Sequence, residues 1–192
     1  MPGSWPYLRQ PIREYLTKNF KPTDTVLDIG AGEGTYQHLL GDYFYTMDAV
    51  EIWHPYIAAF DLNTKYRNVF LTDIMEFEFD FYNIIIIGDT LEHLSKEDGV
   101  KLIANIVTKC DELVVCVPFN LPQDGIYDPT SDSFNPYEAH LQPDLNFDNF
   151  FERYPSLKFL DVDPIYNLPD NKANVRIDVG ESVYYLCAFI KC

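Results

Sequence analysis

The sequence predicts an α/β fold, an open and mostly parallel sheet with helices on both faces. Three observations carry that reading. Thr25–Gly34, T-V-L-D-I-G-A-G-E-G, runs from an apolar, β-branched stretch (Val26, Leu27, Ile29) into three glycines, and Tyr36, Leu39 and Leu40 follow at helical spacing, which reads as strand, tight turn, helix. Ile84–Ile87 is the most continuous apolar run in the chain, as a central strand buried on both faces requires. Around these two, short apolar runs alternate with helix-like segments along the chain, the pattern of strands crossing over through helices.

Glycine suits the first turn because a side chain there would clash with positive φ or hold a ligand away from the amides at the helix start. Its spacing narrows the ligand. Gly30, Gly32 and Gly34 form G-x-G-x-G, whereas a dinucleotide-binding turn wants its third small residue one place later, where this chain has Thr35. Three further stretches are A-V-E-I (49–52), L-T-D-I (71–74) and I-I-I-I-G-D-T-L-E-H-L (84–94). Together with V-L-D-I-G-A-G-E-G they resemble, in order and spacing, the motifs of class I S-adenosylmethionine-dependent methyltransferases, from about Thr25 to Phe119. The resemblance implies a Rossmann-like, seven-stranded mixed sheet of order 3-2-1-4-5-7-6, with strand seven antiparallel. It also implies S-adenosylmethionine as cofactor, with Gly30, Ala31, Gly32 and Gly34 at its methionine end and Asp28 helping to hold the amino group. Asp73 is implied as the acceptor for the adenine amino group, with the next backbone N–H, of Ile74, donating to the ring.

Taken in order, Trp5–Phe20 places Leu8, Ile12, Tyr15, Leu16 and Phe20 at helical spacing. In the family such a segment often caps the mouth of the site, and plain packing on the sheet edge is the other reading. Thr35–Leu40 is a short helix ended by Gly41, and Tyr43–Ile52 is the second strand. Glu51 lies seventeen residues after Gly34, where an αβ unit brings the end of strand two beside the turn after strand one, so its carboxylate can accept both ribose hydroxyls. Asp48 competes but falls three residues earlier, inside the strand; Ile52 is left to pack on the adenine. His54, Pro55 and Tyr56 mark a helix start, and Val69–Thr72 is a short third strand.

Ile84–Ile87 ends at Gly88-Asp89, and ligands of open α/β sheets lie beyond the carboxyl ends of strands, which puts Asp89, Glu92 and His93 at the expected site. Ser95 is an N-cap with an acid three residues on, and Val100, Leu102, Ile103, Ile106 and Val107 supply that helix's apolar face. Leu113–Phe119 is strand five. Asn120–Pro143, rich in Pro, Asp, Asn and Ser and with little periodicity, is expected as a mobile substrate-side loop that contains N-P-Y-E-A-H, a stretch ending at His140. Asp144–Tyr154 forms a helix, and Leu157–Val162 and Val183–Ile190 are the last strands.

The chain of 192 residues, 47% hydrophobic and 16% aromatic, is enough for one domain with a substantial core, so residues 1–192 are expected as a single domain. A formal net charge of −16 and a pI near 4.4 oppose nucleic-acid binding, which depends on Lys and Arg meeting phosphates. The first ten residues show no basic stretch followed by an apolar core, and no run of eighteen apolar residues occurs, so a cytoplasmic protein without a membrane span is expected. Cys110, Cys116, Cys187 and Cys192 have no metal-type spacing and read as free thiols. No motif speaks to oligomeric state.

The expectation is therefore a methyltransferase that uses S-adenosylmethionine on a small-molecule acceptor, through oxygen or nitrogen. A non-catalytic cofactor-binding protein and an NAD-dependent oxidoreductase are the alternatives, and the glycine spacing argues against the second. Moving a methyl group to a hydroxyl or amine requires alignment and a partner for the acceptor's proton. Asp89, Glu92, His93 and His140 are the candidates, as acid and base or as ligands of a divalent metal. Asp89-x-x-Glu92-His93 resembles the E-x-x-E-H segment of two metal-assisted branches of the family, the small-RNA 3′-end 2′-O-methyltransferases and the ubiquinone-pathway O-methyltransferases, which add a further histidine; His140 would be that histidine. Asp89 departs from the pattern, and L-E-H-L also occurs in family members without a metal.

Overall fold

A computed structural model describes residues 8–164 and 185–192. Its main sheet has seven strands. They are β1 (Thr25–Ile29), β2 (Thr46–Glu51), β3 (Asn68–Leu71), β4 (Tyr82–Gly88), β5 (Cys110–Phe119), β8 (Leu157–Pro164) and β9 (Tyr185–Lys191), in the order β3-β2-β1-β4-β5-β9-β8. Two short strands, β6 (Ile126–Asp128) and β7 (Ser133–Asn135), pair outside it as a hairpin. Counting only the main-sheet strands, the order is the expected 3-2-1-4-5-7-6. β1 to β5 run parallel, and β9 lies antiparallel between β5 and β8.

Strand β4 shows why its sequence is apolar throughout. Ile85 and Ile87 pack into one cluster with Leu27, Ile29, Leu102 and Ile106, while Ile84 and Ile86 pack into a second with Ile12, Leu16 and Leu40. Alternate side chains of a strand face opposite ways, so both faces must be covered. α5 (Lys96–Ile106) and α6 (Phe147–Arg153) cover the first; α1 (Arg9–Asn19) and α2 (Thr35–Leu40) cover the second. α5 starts where expected, with Ser95 Oγ accepting from the Asp98 N–H at 3.1 Å. α6 starts on Asn146, in a capping box with Asn149.

Element limits differ at several ends. The first helix, expected from Trp5, runs from Arg9, and residues 1–7 lie outside the described residues. Strand two begins at Thr46 because Tyr43 and Phe44 fold back on Leu40 through their backbone N–H groups. The last strand, expected from Val183, is described from Tyr185. All four cysteines are free thiols. No helix among the described residues is long and apolar enough to cross a membrane.

The larger correction concerns Asn120–Pro143, expected as a mobile, irregular loop. It folds into the β6–β7 hairpin and a 3-10 turn, Pro136–Glu138. Its order comes from polar contacts, which leave no apolar period in the sequence. The Asp128 carboxylate accepts from the Thr130 N–H at 2.9 Å, Ser131 Oγ at 2.7 Å and Trp53 Nε1 at 2.8 Å. Asn135 Nδ2 donates to the Tyr56 hydroxyl at 3.2 Å. Trp53 and Tyr56 belong to α3 (His54–Ala59) and the residue before it, so the hairpin is strapped to the end of β2.

Trp53→Phe removes the indole donor from that strap. Hydrogen bonds to charged groups contribute about 1.5–3 kcal/mol, and hydrogen exchange of the Ile126–Asp128 and Ser133–Asn135 amides should quicken accordingly, with Ile84–Ile87 unaffected. Unchanged hairpin exchange would show that the strap is held elsewhere.

Candidate functional site

A cavity of about 450 Å³ opens at the carboxyl ends of β1, β2 and β4. β1 and β4 are neighbours from which the chain crosses over in opposite directions, and a crevice forms there because the connecting loops diverge. The glycine turn forms its floor. Gly30 has φ +73°, and a Cβ there would come within 2.1 Å of Thr90 Oγ1, so glycine is required both by the backbone and by the close approach of the loop after β4. The Gly30 N–H donates to the Val50 carbonyl at 2.9 Å, which ties the turn to β2.

Glu51 completes that tie. Its Oε2 accepts from the Gly32 N–H at 2.9 Å and its Oε1 from the Trp53 N–H at 2.7 Å. Burial pushes its carboxyl up, the Trp53 and Gly32 N–H groups pull it down, and the Glu138 charge adds to the rise. Asp48, the competing acid, is nowhere on the cavity wall. It is held by the Arg67 guanidinium, the Tyr82 hydroxyl at 2.9 Å and the Asn68 amide at 3.0 Å.

Gly30, Gly32, Glu51, Ile52, Asp73, Ile74, Asp89, Glu92, His93 and His140, all singled out from the sequence, line the cavity. Asp28, Ala31 and Gly34 do not. Ile29 faces the cavity, so Asp28 one residue earlier points through the other face of the sheet. There its Oδ2 accepts from the Tyr66 hydroxyl at 2.5 Å, while Oδ1 is buried without a hydrogen-bond partner. Burial lifts its carboxyl to about 7 against the Tyr66 hydrogen bond, with the Glu51 charge adding to the rise. Ala31 is buried, and Gly34 lies under Lys65 and Leu62.

At the far end, Glu92, His93 and His140 converge, with one ligand atom from each lying within 4.8 Å of the others. Glu92 and His93 lie on a 3-10 turn, Leu91–His93, braced from below by Gln142, whose Nε2 donates to the Leu91 carbonyl at 3.0 Å. His140 is brought in by the segment after the hairpin, whose Leu141 and Gln142 N–H groups donate to the Glu92 carbonyl at 2.8 and 3.0 Å. Each imidazole has its Nδ1 against a backbone carbonyl, His93 on Ala139 at 3.1 Å and His140 on Leu121 at 2.6 Å. A carbonyl only accepts, so Nδ1 carries the hydrogen in both rings, and each neutral ring presents an Nε2 lone pair. Both Nε2 atoms lie 3.9 Å from Glu92 Oε1, too far for hydrogen bonds. Asp89, grouped with these three from the sequence, falls outside the converging set; its shorter side chain leaves the strand end ahead of the turn.

Burial and the neighbouring His140 push His93 down to about 4, against the Ala139 carbonyl. Burial also lowers His140, and it raises Glu92 well above the usual carboxyl range, with Asp89 adding to the rise. Burial thus opposes charge on all three groups of the cluster.

Several wall residues were not assigned from the sequence: Trp53, Tyr56, Gln123, Asn135 and Glu138. H-P-Y and N-P-Y-E were visible as turn signals, but their meeting across the cavity depends on the strap between α3 and the hairpin.

No family model matches the sequence, and no curated protein matches it. Solved structures do. One is an S-adenosylmethionine-dependent methyltransferase from Clostridium acetobutylicum, 12% identical, with a TM-score of 0.64 over 94% of this chain and 89% of that one. A second is magnesium protoporphyrin IX methyltransferase from Synechocystis with S-adenosylmethionine bound, 11% identical, TM-score 0.61, covering 96% and 78%. A third is the N-methyltransferase NodS from Bradyrhizobium japonicum, 16% identical, TM-score 0.57, covering 95% and 92%. At these identities the likeness is one of fold.

Because folding resists protonation of His93, the unfolded chain takes up that proton first between pH 6.5 and about 4. Stability that is complete above pH 6.5 should fall as acid is added through this window. His93→Gln should flatten that part of the acid-unfolding curve. By NMR, His93 should stay neutral with its hydrogen on Nδ1 at pH 6; an Nε2–H tautomer or titration near 6.5 would contradict the geometry.

Proposed function

We propose that this chain, whose fold is that of the class I S-adenosylmethionine-dependent methyltransferases, binds S-adenosylmethionine in the cavity above β1, β2 and β4 and methylates a small-molecule acceptor. One observation carries the reading. The Glu51 carboxylate is fixed by two backbone N–H groups on the wall of a glycine-floored cavity, with lone pairs left over for a diol. The residues fit the cofactor elsewhere too. Gly30 and Gly32 line the floor, and at Gly30 the close approach of Thr90 leaves no room for a side chain.

In this reading Gly30 and Gly32 receive the methionine end, with Asp28, Ala31 and Gly34 shaping the turn from behind. Glu51 accepts the ribose hydroxyls, Ile52 packs on the adenine, Asp73 accepts from its amino group and the Ile74 N–H donates to the ring. S-adenosylmethionine supplies a methyl group on a sulfonium, which needs no activation beyond alignment with the acceptor. What the chain adds is a place for the acceptor's proton. His93 and His140 offer Nε2 lone pairs, their Nδ1–H groups locked on carbonyls so that the rings do not turn away.

A second reading is favoured by the same convergence. Two Nε2 atoms and a carboxylate whose Oε2 has no hydrogen-bond partner are the donor types of a divalent cation site, and the backbone carbonyls behind both rings are the partners such ligands use. Glu92, His93 and His140 would hold the ion, which would lower the pKa of a hydroxyl acceptor.

Calorimetry with S-adenosylhomocysteine tests the cofactor assignment. Glu51→Ala should weaken binding by about 1.5–3 kcal/mol, and unchanged affinity would sink the ribose role. Loss of S-adenosylmethionine over pools of acceptors tests catalysis; binding without turnover on any pool would leave a cofactor-binding protein.

His140→Ala should lower turnover by about 10²–10⁴-fold if the ring takes the proton. A chelator that leaves the rate unchanged, with no metal in the purified protein, would remove the metal reading. Full activity of both His93→Ala and His140→Ala would remove the proton-transfer one.

A further inference from the structure

The acceptor end of the cavity offers its ligand acceptors and almost no donors. Glu138 stands on the 3-10 turn after β7, and its Oε1 accepts from the Tyr56 hydroxyl at 3.0 Å, which itself accepts from Asn135 Nδ2 at 3.2 Å. Gln123 Nε2 donates to the Glu138 carbonyl at 2.7 Å. These contacts fix the carboxylate and leave Oε2 without a hydrogen bond among the described residues. Glu92 lines the same cavity at 1% exposure, with Oε2 buried and without a hydrogen-bond partner. Between them the two imidazoles present lone pairs, because their N–H groups are turned to the backbone. Among the described lining residues the one arginine or lysine is Arg9, on α1, against seven carboxylates.

Two buried or half-buried carboxylates on a wall whose described residues supply one arginine against seven carboxylates are costly unless a ligand brings hydrogens and positive charge. The cofactor's own amino group is assigned to the glycine turn at the other end and does not reach them. Beside Glu138, the rings of Trp53 and Tyr137 lie 6.0 Å apart at 59° on the cavity wall, apolar flat surfaces that attract a cation over their faces.

We propose that the acceptor carries a protonated amine next to an aromatic or other flat apolar body, with the amine held by Glu138 and Glu92 and the body against Trp53 and Tyr137. The amine is a handle for recognition, whichever atom receives the methyl group. This rests on the methyltransferase reading of the cavity and names the class of its acceptor. An anionic acceptor is disfavoured, since its charge would face Glu138 and Glu92 on a wall of seven carboxylates and one arginine.

Three probes of one skeleton test it: phenethylamine, phenethyl alcohol and hydrocinnamate, titrated by calorimetry into protein with chelator present and S-adenosylhomocysteine bound. The amine should bind at least about tenfold more tightly than the alcohol, and the acid more weakly than either. Glu138→Gln should bring amine and alcohol together, and Tyr56→Phe, which frees the carboxylate without removing it, should narrow the gap. Equal binding of amine and alcohol by the unaltered protein, no amine binding, or a full preference in a Glu138→Gln protein with a normal melting curve would each overturn the proposal. The initial S-adenosylhomocysteine titration reads the cofactor assignment separately. Its failure with the amine preference intact would sink that assignment and leave the handle standing.

Discussion

Two backbone N–H groups, one from the turn after β1 and one from the residue just before α3, meet on the single carboxylate of Glu51. With the Gly30 N–H on the Val50 carbonyl, they lock the loops of two neighbouring parallel strands into one body. The consequences run outward in steps. Trp53 is fixed in place, so its indole can reach Asp128; Asp128 anchors the hairpin; and the hairpin brings Glu138, Ala139 and His140 over the cavity. A charge-assisted hydrogen bond to backbone N–H is short and strong in a dry site, and here it organises both ends of the cavity.

In a chain with a net charge of −16, the treatment of buried acids separates scaffold from site. Asp128 is raised by burial, but its bonds from Ser131, Trp53 and Thr130 win and bring it to about 2. Asp48 is likewise pulled down by Arg67 and Tyr82. Both are fully engaged and hold elements together. Asp28 and Glu92 each keep an oxygen without a hydrogen bond, and both are pushed up by burial. Asp28 lies behind the glycine turn, off the cavity wall, whereas Glu92 lines the cavity and is placed to meet a ligand.

The histidine pair shows how little of a site's chemistry resides in residue type. His93 and His140 turn their Nε2 atoms to the cavity because each ring is held by a carbonyl from a different segment, Ala139 and Leu121. Their rings lie 4.8 Å apart, edge to face, and two such rings so close in a buried pocket favour neutrality. The pair thus depends on the segment after β5 closing over the turn after β4.

The central strands, the glycine turn, the Ser95 cap and the choice of Glu51 over Asp48 as the acid beside that turn were legible in the sequence, because each rests on local spacing: a period of two for strands, positive φ for glycine, a fixed rise per residue for the αβ unit; the strand order came with the resemblance of the motifs to a known family. Asp28 shows where that logic stops, since a one-residue step along β1 turned it to the far face. The hairpin in Asn120–Pro143 was invisible for a different reason. Its strands are held by Asp128, Asn135 and their partners across the chain, and polar tertiary contacts leave no periodic trace. What the sequence by itself determined was the set of elements whose residues interact with near neighbours. Only the tertiary structure decided which of Asp89, Glu92, His93 and His140 converge, and that Tyr56 and Glu138 join them, because those meetings depend on long-range contacts between loops that carry no common period.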